Sequence, residues 1–153
     1  MSALLPDLRG FARFLTRDAS AADDLVQDTL VRALAAQAQF QPDTNLKAWL
    51  FTIQRNAFYE LARRRQRESR VMSARMPPPD SVAPAASHRA EVADLQRMLF
   101  MLPPLLREAL VLVGAQELSH EEAAAICGVP VGTMKARVSR ARSQLARAAS
   151  GEG

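Results

Sequence analysis

A single cysteine, Cys127, stands among 153 residues. One thiol excludes an internal disulfide and cannot build a thiolate metal cluster, so Cys127 is read as a small apolar packing residue in a helix. Aromatic residues are scarce as well, at 5% with one Trp and one Tyr. Ala, Leu and Arg dominate instead, a balance that leans to an all-helical protein. The two histidines belong to no Ser/His/Asp or Cys/His set in a plausible context, which argues against an enzyme. His120-Glu121 opens like a zinc-hydrolase helix, but Ala124 occupies the place of the second histidine. No metal, cofactor or small-molecule substrate is therefore expected. No apolar run approaches the length of a membrane span, and the N-terminus lacks a signal-peptide pattern. The expectation is a soluble cytoplasmic protein without a membrane partner.

What the chain does have is a hydrophobic content of 48%, enough to bury a core, and a formal net charge of +4. The length allows one domain or two small ones. The positive balance favours an anionic partner without naming it.

The segment 118–145, LSHEEAAAICGVPVGTMKARVSRARSQL, reads as a helix-turn-helix. Ser119 can cap the first helix, with Glu122 three residues on to close a capping box. Ala123, Ala124 and Ile126 supply packing positions, and Gly128 stands where a left-handed residue ends the helix. Pro130 begins a second helix in which Met134, Val138, Ala141 and Leu145 recur at helical spacing. Its other side carries Lys135, Arg137, Arg140 and Arg142, with no acid between Val131 and Ser150. A solvated face usually mixes signs, whereas a one-sign face behind an apolar seam suits a helix lying in a DNA groove.

From Val71 to His88 the sequence VMSARMPPPDSVAPAASH contains Pro77, Pro78, Pro79 and Pro84 and no helical period. It reads as an extended tether. The expected organisation is an N-terminal module over 1–70, a linker over 71–92 and a C-terminal module over 93–150. Three helices are expected in the first module. Leu4 to Leu15 presents Leu5, Leu8, Phe11, Ala12 and Leu15. Ser20 to Ala38 aligns Leu25, Thr29, Ala33 and Ala36 on one stripe, and Asp24, Gln27 and Asp28 on another. The third follows Pro42, capped by Asp43 or Thr44, and runs to about Arg67 with the stripe Leu46, Trp49, Leu50, Ile53, Ala57 and Leu61. Trp49 is assigned to the core, and Phe51, Phe58 and Tyr59 to either packing or stacking. The helix closes on Arg63, Arg64, Arg65, Arg67 and Arg70. A basic end complements the helix dipole, but five arginines within eight residues exceed that need and suit phosphate contact. The C-terminal module adds helices from Glu91 to Leu102 and from Pro104 to about Gly114 ahead of the helix-turn-helix.

Taken together, DDLVQDTLVRAL, NLKAWLFTIQRNAFYELARRR, LPPLLREALVLV and GVPVGTMKARVSRAR resemble the ECF (extracytoplasmic function) sigma factors, in order and over nearly the whole chain. FQPDTNLKAWLFTI and LVGAQELSHEEAAAICG resemble most the alphaproteobacterial general-stress-response group. The resemblance implies an all-α protein of two small helical modules, a sigma region 2-like three-helix module and a sigma region 4-like helix-turn-helix module, joined by the Pro-rich linker. It implies a core RNA polymerase partner, met through the clamp helices of the largest subunit and the flap, together with promoter DNA and a small helical anti-sigma factor.

Residue by residue, the resemblance places Asp24, Gln27, Asp28 and Arg32 on the polymerase; from spacing alone, the first three are a solvated acidic face. Asn56 falls near a pocket for a flipped −10 base, with Lys47, Arg55, Arg63, Arg64 and Arg65 on strand phosphates. Lys135, Ala136, Ser139 and Arg140 fall on −35 base edges, and Thr133, Arg137 and Arg142 on phosphates. Ala136 stands where the family usually has Ser, and Leu105-Leu106 where it is more polar. Those leucines are expected to meet the other module or an anti-sigma partner. Two other functions are weighed against a sigma factor: a sigma mimic that titrates an anti-sigma factor, and a stand-alone helix-turn-helix repressor. The acidic second helix and the tether have no use in the repressor. The full basic face has none in the mimic.

Overall fold

The computed structural model describes residues 2–72 and 90–150, and every regular element among them is helical. The chain divides into two compact units, Met1–Val82 and Ala83–Gly153. The proline-bearing stretch 73–89 of the expected linker lies outside the described residues. Helices nevertheless enter the stretch read as linker from both sides, because α3 runs to Met72 and α4 begins at Ala90.

In the first unit, α1 (Leu5–Thr16), α2 (Ala19–Ala35) and α3 (Leu46–Met72) pack against one another. The turn between α1 and α2 is tight. Arg17 adopts the left-handed conformation, φ 59°, and its N–H donates to Arg13 O at 2.7 Å. Asp18 then caps α2, its carboxylate accepting from the Ala21 N–H at 2.8 Å. The third helix is capped by Asn45 rather than Asp43 or Thr44. Asn45 Oδ1 accepts from the N–H groups of Lys47 at 2.9 Å and Ala48 at 3.3 Å. Thr44 is committed to the turn before it, its hydroxyl donating to Gln41 O at 2.7 Å.

The core is built largely from the apolar stripes expected of each helix, joined by Ala22 and Val26 of α2 and by Phe51 and Gln54 of α3. Phe51 is fully buried and stacks on Phe11, with ring centroids 4.7 Å apart. This settles it as a packing residue and removes it from any role against a nucleic acid. Gln54 is also buried, donating through Nε2 to Leu8 O at 3.2 Å. Trp49 packs on Phe40, 5.0 Å between centroids, and is half-buried. Thr29 is buried on the α2 stripe because its hydroxyl donates to Leu25 O at 2.7 Å.

The second unit holds α4 (Ala90–Met101), α5 (Pro104–Leu110), α6 (His120–Cys127) and α7 (Val131–Ala149). Where one helix was expected to continue to Gly114, α5 gives way at Val111–Ala115 to a π turn. Gln116 N–H donates to Val111 O at 2.9 Å and Leu118 N–H to Leu112 O at 3.1 Å. The wider turn changes the helical phase, so Leu112 and Leu118 are both buried. The capping box forms as expected: Ser119 Oγ accepts from Glu122 N–H at 2.9 Å, and Glu122 Oε1 from Ser119 N–H at 3.0 Å. Gly128 takes the left-handed conformation, φ 71°, that turns the chain into α7. Leu106 joins Leu102 and Ala141 in the core, so of the Leu105-Leu106 pair only Leu105 faces out, 47% exposed. Successive helical residues lie about 100° apart, so the two leucines cannot share one outward direction.

Replacing Phe51 with Ala should lower the stability of the first unit by about 3–5 kcal/mol, as truncation of a buried Phe does. Denaturant unfolding followed by circular dichroism measures it; a loss within error of zero would contradict the packing role.

Candidate nucleic-acid interface

The sorting of residues on α7 follows from helical period. Met134, Val138 and Ala141 are buried and form the seam towards the rest of the unit. Ala136, Ser139 and Arg140 lie opposite that seam, with Lys135 and Arg142 along one flank and Thr133 and Arg137 along the other. Lys135, Ser139, Arg140 and Arg142 are exposed, while Thr133, Ala136 and Arg137 are half-buried. Among the described residues, none of Lys135, Arg137, Arg140 and Arg142 is in an ion pair. Four cations on one helix therefore repel one another with no internal compensation, a cost that an approaching polyanion relieves.

The basic residues of α3 do not form one surface. Asn56 is exposed and Arg63 lies two turns on from it, so the two share a face. Arg55 borders that face, with its guanidinium 4.7 Å from the centre of the Tyr59 ring. Tyr59 in turn meets Phe58 edge-on at 5.1 Å. Lys47 is held elsewhere. Its Nζ is 3.5 Å from Asp7 Oδ2 and 5.9 Å from the Phe51 ring centre, at the side where α3 meets α1. Arg65 follows Lys47 by five helical turns and stands on that same side, beyond the core. Arg64 falls one turn after Glu60, on a third side. Arg63, Arg64 and Arg65 thus ring the helix and are all exposed.

On α2, Asp24, Gln27 and Asp28 form an exposed row, and the row continues into Val31 and Leu34, 64% and 60% exposed. Sequence reasoning passed over these two because apolar residues in a helix are ordinarily core. Their spacing from Gln27, four and seven residues, was the available signal. Arg32 is set to one side of the row and is doubly bound. Its Nε is 3.2 Å from Asp28 Oδ1, and its Nη2 is 2.6 Å from Glu60 Oε1 of α3. The hydrogen bond from Arg32, assisted by its charge and by those of Arg64 and Arg63, holds the Glu60 carboxyl below its ordinary range. The same bond pushes the Arg32 guanidinium up. Glu60, like Val31 and Leu34, did not stand out in the sequence.

Among the described residues no group of three His, Cys, Asp or Glu side chains gathers as a metal site, and no helix is long and apolar enough to cross a membrane.

Comparison with known proteins identifies the family. Residues 1–68 match the family model for Sigma-70 region 2, and residues 93–145 that for Sigma-70, region 4. The ECF RNA polymerase sigma factor EcfG of Rhodopseudomonas palustris is 49% identical over 143 residues, 94% of this chain and 79% of that protein. The sigma factor RpoE of Bartonella quintana, solved in complex with the anti-sigma factor NepR, superposes with a TM-score of 0.86 at 44% identity, covering 99% of this chain and 94% of that one. CnrH, solved with the cytosolic domain of CnrY, gives a TM-score of 0.73 at 29% identity over 99% of this chain and 86% of that one. The chain belongs to the ECF family of RNA polymerase sigma factors. Proteins of this family are transcription initiation factors that act by binding, which agrees with surfaces made of charge and shape rather than of a nucleophile and its base.

Because the folded state holds Glu60 below its unfolded pKa, the Arg32–Glu60 pair contributes fully above the ordinary carboxylate range and is lost as pH falls through the lowered value. Titration of the Glu60 side-chain carboxyl by NMR should therefore give a midpoint below the ordinary Glu range, and Arg32→Met should move it back up. A midpoint that does not move in Arg32→Met would contradict the pairing.

Proposed function

We propose that the chain is the promoter-reading subunit of a bacterial RNA polymerase in the cytoplasm, serving a stress response under the control of a small helical anti-sigma factor. The observation that carries the promoter reading is the unpaired row on α7, a reading edge set opposite a buried seam. In this reading α7 lies in the major groove of the −35 element. Lys135, Ser139 and Arg140 face base edges, where Lys or Arg suits guanine O6 and N7, and Ala136 meets a thymine methyl. Thr133, Arg137 and Arg142 hold phosphates and fix register.

The α2 row of Asp24, Gln27 and Asp28, flanked by Arg32 and extended by Val31 and Leu34, docks on the clamp helices of the polymerase largest subunit. A mixed acidic and apolar row is the kind of surface that pairs charge at its rim with desolvated contact at its centre. The second unit meets the flap. On α3, Asn56 reaches a flipped −10 base, with Arg55 and Arg63 on the backbone of the same strand. Arg64 and Arg65 take phosphates as the strand passes around the helix end. Lys47 joins only if its ion pair with Asp7 opens, which makes it the weakest member of the set. The anti-sigma assignment is supported by the RpoE likeness, since that protein is bound by NepR. A sigma mimic would leave the basic row of α7 without a use.

Reconstituted transcription tests the reading. Core polymerase with this chain should initiate on promoters bearing stress-type −35 and −10 elements, and neither component should do so alone. Absence of specific transcripts across such promoters would overturn it. Within that assay Arg140→Ala should cost about 1–3 kcal/mol and relax preference at one −35 position, whereas Arg142→Ala should weaken all promoter variants alike. Uniform loss for Arg140→Ala would remove its base-reading assignment.

A further inference from the structure

Arg32 and Glu60 join residues 28 apart in sequence across two helices that carry different surfaces. Asp28, in the middle of the α2 row, is exposed and on an exposed helix face would sample several rotamers. It is held because Arg32 Nε reaches its Oδ1 at 3.2 Å, while Oδ2 has no bond among the described residues. A guanidinium is a rigid planar fork, so fixing a second nitrogen fixes the direction in which the first points. Glu60 supplies that second point through Arg32 Nη2 at 2.6 Å.

We propose that Glu60 is a positioning residue for the polymerase-docking surface of α2: acting from α3 through Arg32, it sets the carboxylate of Asp28 for its partner. The inference rests on the docking reading of α2 given above and adds to it a residue on another helix. Three considerations favour positioning over simple stapling. Exposed ion pairs contribute little to fold stability, and α2 already has Val26, Thr29 and Ala33 buried in the core. The hydrogen bond and charge of Arg32, with smaller help from Arg64 and Arg63 on its own helix, hold the Glu60 carboxyl below its ordinary range, as a fixed partner of Arg32 requires. Ordering a docking side chain before the partner arrives removes an entropic cost from association. The chain Glu60–Arg32–Asp28 does this with Asp28 on the partner-facing row, Arg32 at its edge and Glu60 on another helix.

Equilibrium titration of the full chain against sigma-free core RNA polymerase provides the test, with thermal unfolding of each variant alongside. Asp28→Asn should raise Kd about tenfold, as loss of a charged hydrogen-bonding group does. Glu60→Gln should raise it about three- to fivefold with little change in melting temperature, and Glu60→Asp should recover much of the affinity. Arg32→Met should weaken docking, and the double variant Arg32→Met/Glu60→Gln should be no weaker than Arg32→Met alone, because Glu60 acts through Arg32. An unchanged Kd for Glu60→Gln beside a weakened Asp28→Asn overturns the proposal while sparing the docking surface. Additive losses in the double variant overturn it too, since Glu60 would then act on its own. If Asp28→Asn binds as wild type, the docking reading of α2 fails and the positioning role falls with it.

Discussion

The first unit depends on the packing of α1 against α3, centred on the Phe11–Phe51 stack. Around it, Leu8 and Leu50 are fully buried and Gln54 ties α3 to the backbone of α1. That attachment is made by the first half of α3. The second half projects its arginines beyond the core, and all three of Arg63, Arg64 and Arg65 are exposed. A long helix anchored at one end lets a small core position a surface several turns away from itself.

The two units solve the problem of a combined scaffold and binding surface differently. In the second, α7 carries both duties on opposite sides of one helix, with Met134, Val138 and Ala141 inward and the cations outward. In the first, the exposed charged residues are spread over α2 and α3, and ion pairs between helices supplement the packing that joins them. Asp7–Lys47 and Arg32–Glu60 are such links between elements. The cations of α7 have no counterpart of this kind among the described residues, and the contrast separates charges held inside the fold from charges offered to a partner.

What could be read from the sequence was what is decided within one or two helical turns. The Ser119–Glu122 capping box, the left-handed Gly128 and the seam of α7 depend on neighbours three or four residues away. The two regions and their order were legible because each carries a run of such local signals. The cap of α3 was assigned to Asp43 or Thr44 rather than to Asn45, since any of the three can accept the bonds and only the preceding turn decides. Phe51 was left open because its position borders the apolar stripe, and the ring that claims it, Phe11, lies on another helix. Glu60 was missed for the same reason: a lone acid among arginines looks like local charge balance until Arg32 is seen beside it. Lys47 was grouped with the strand-contacting cations by charge, and Asp7 of α1 separates it from them.

The division of α7 into an inward seam and an outward row has a consequence for how such a protein can diverge. Side chains at Lys135, Ser139 and Arg140 are exposed, and exposed substitutions usually change stability by no more than about 0.5 kcal/mol. If α7 reads the −35 element as proposed, that recognition can therefore drift while the fold stays within its margin. Related copies in one genome can part company in the promoters they read without first acquiring compensating changes in the core. The half-buried Ala136 is where that freedom narrows, since a larger side chain there would have to find room beside the helix before it could meet a base.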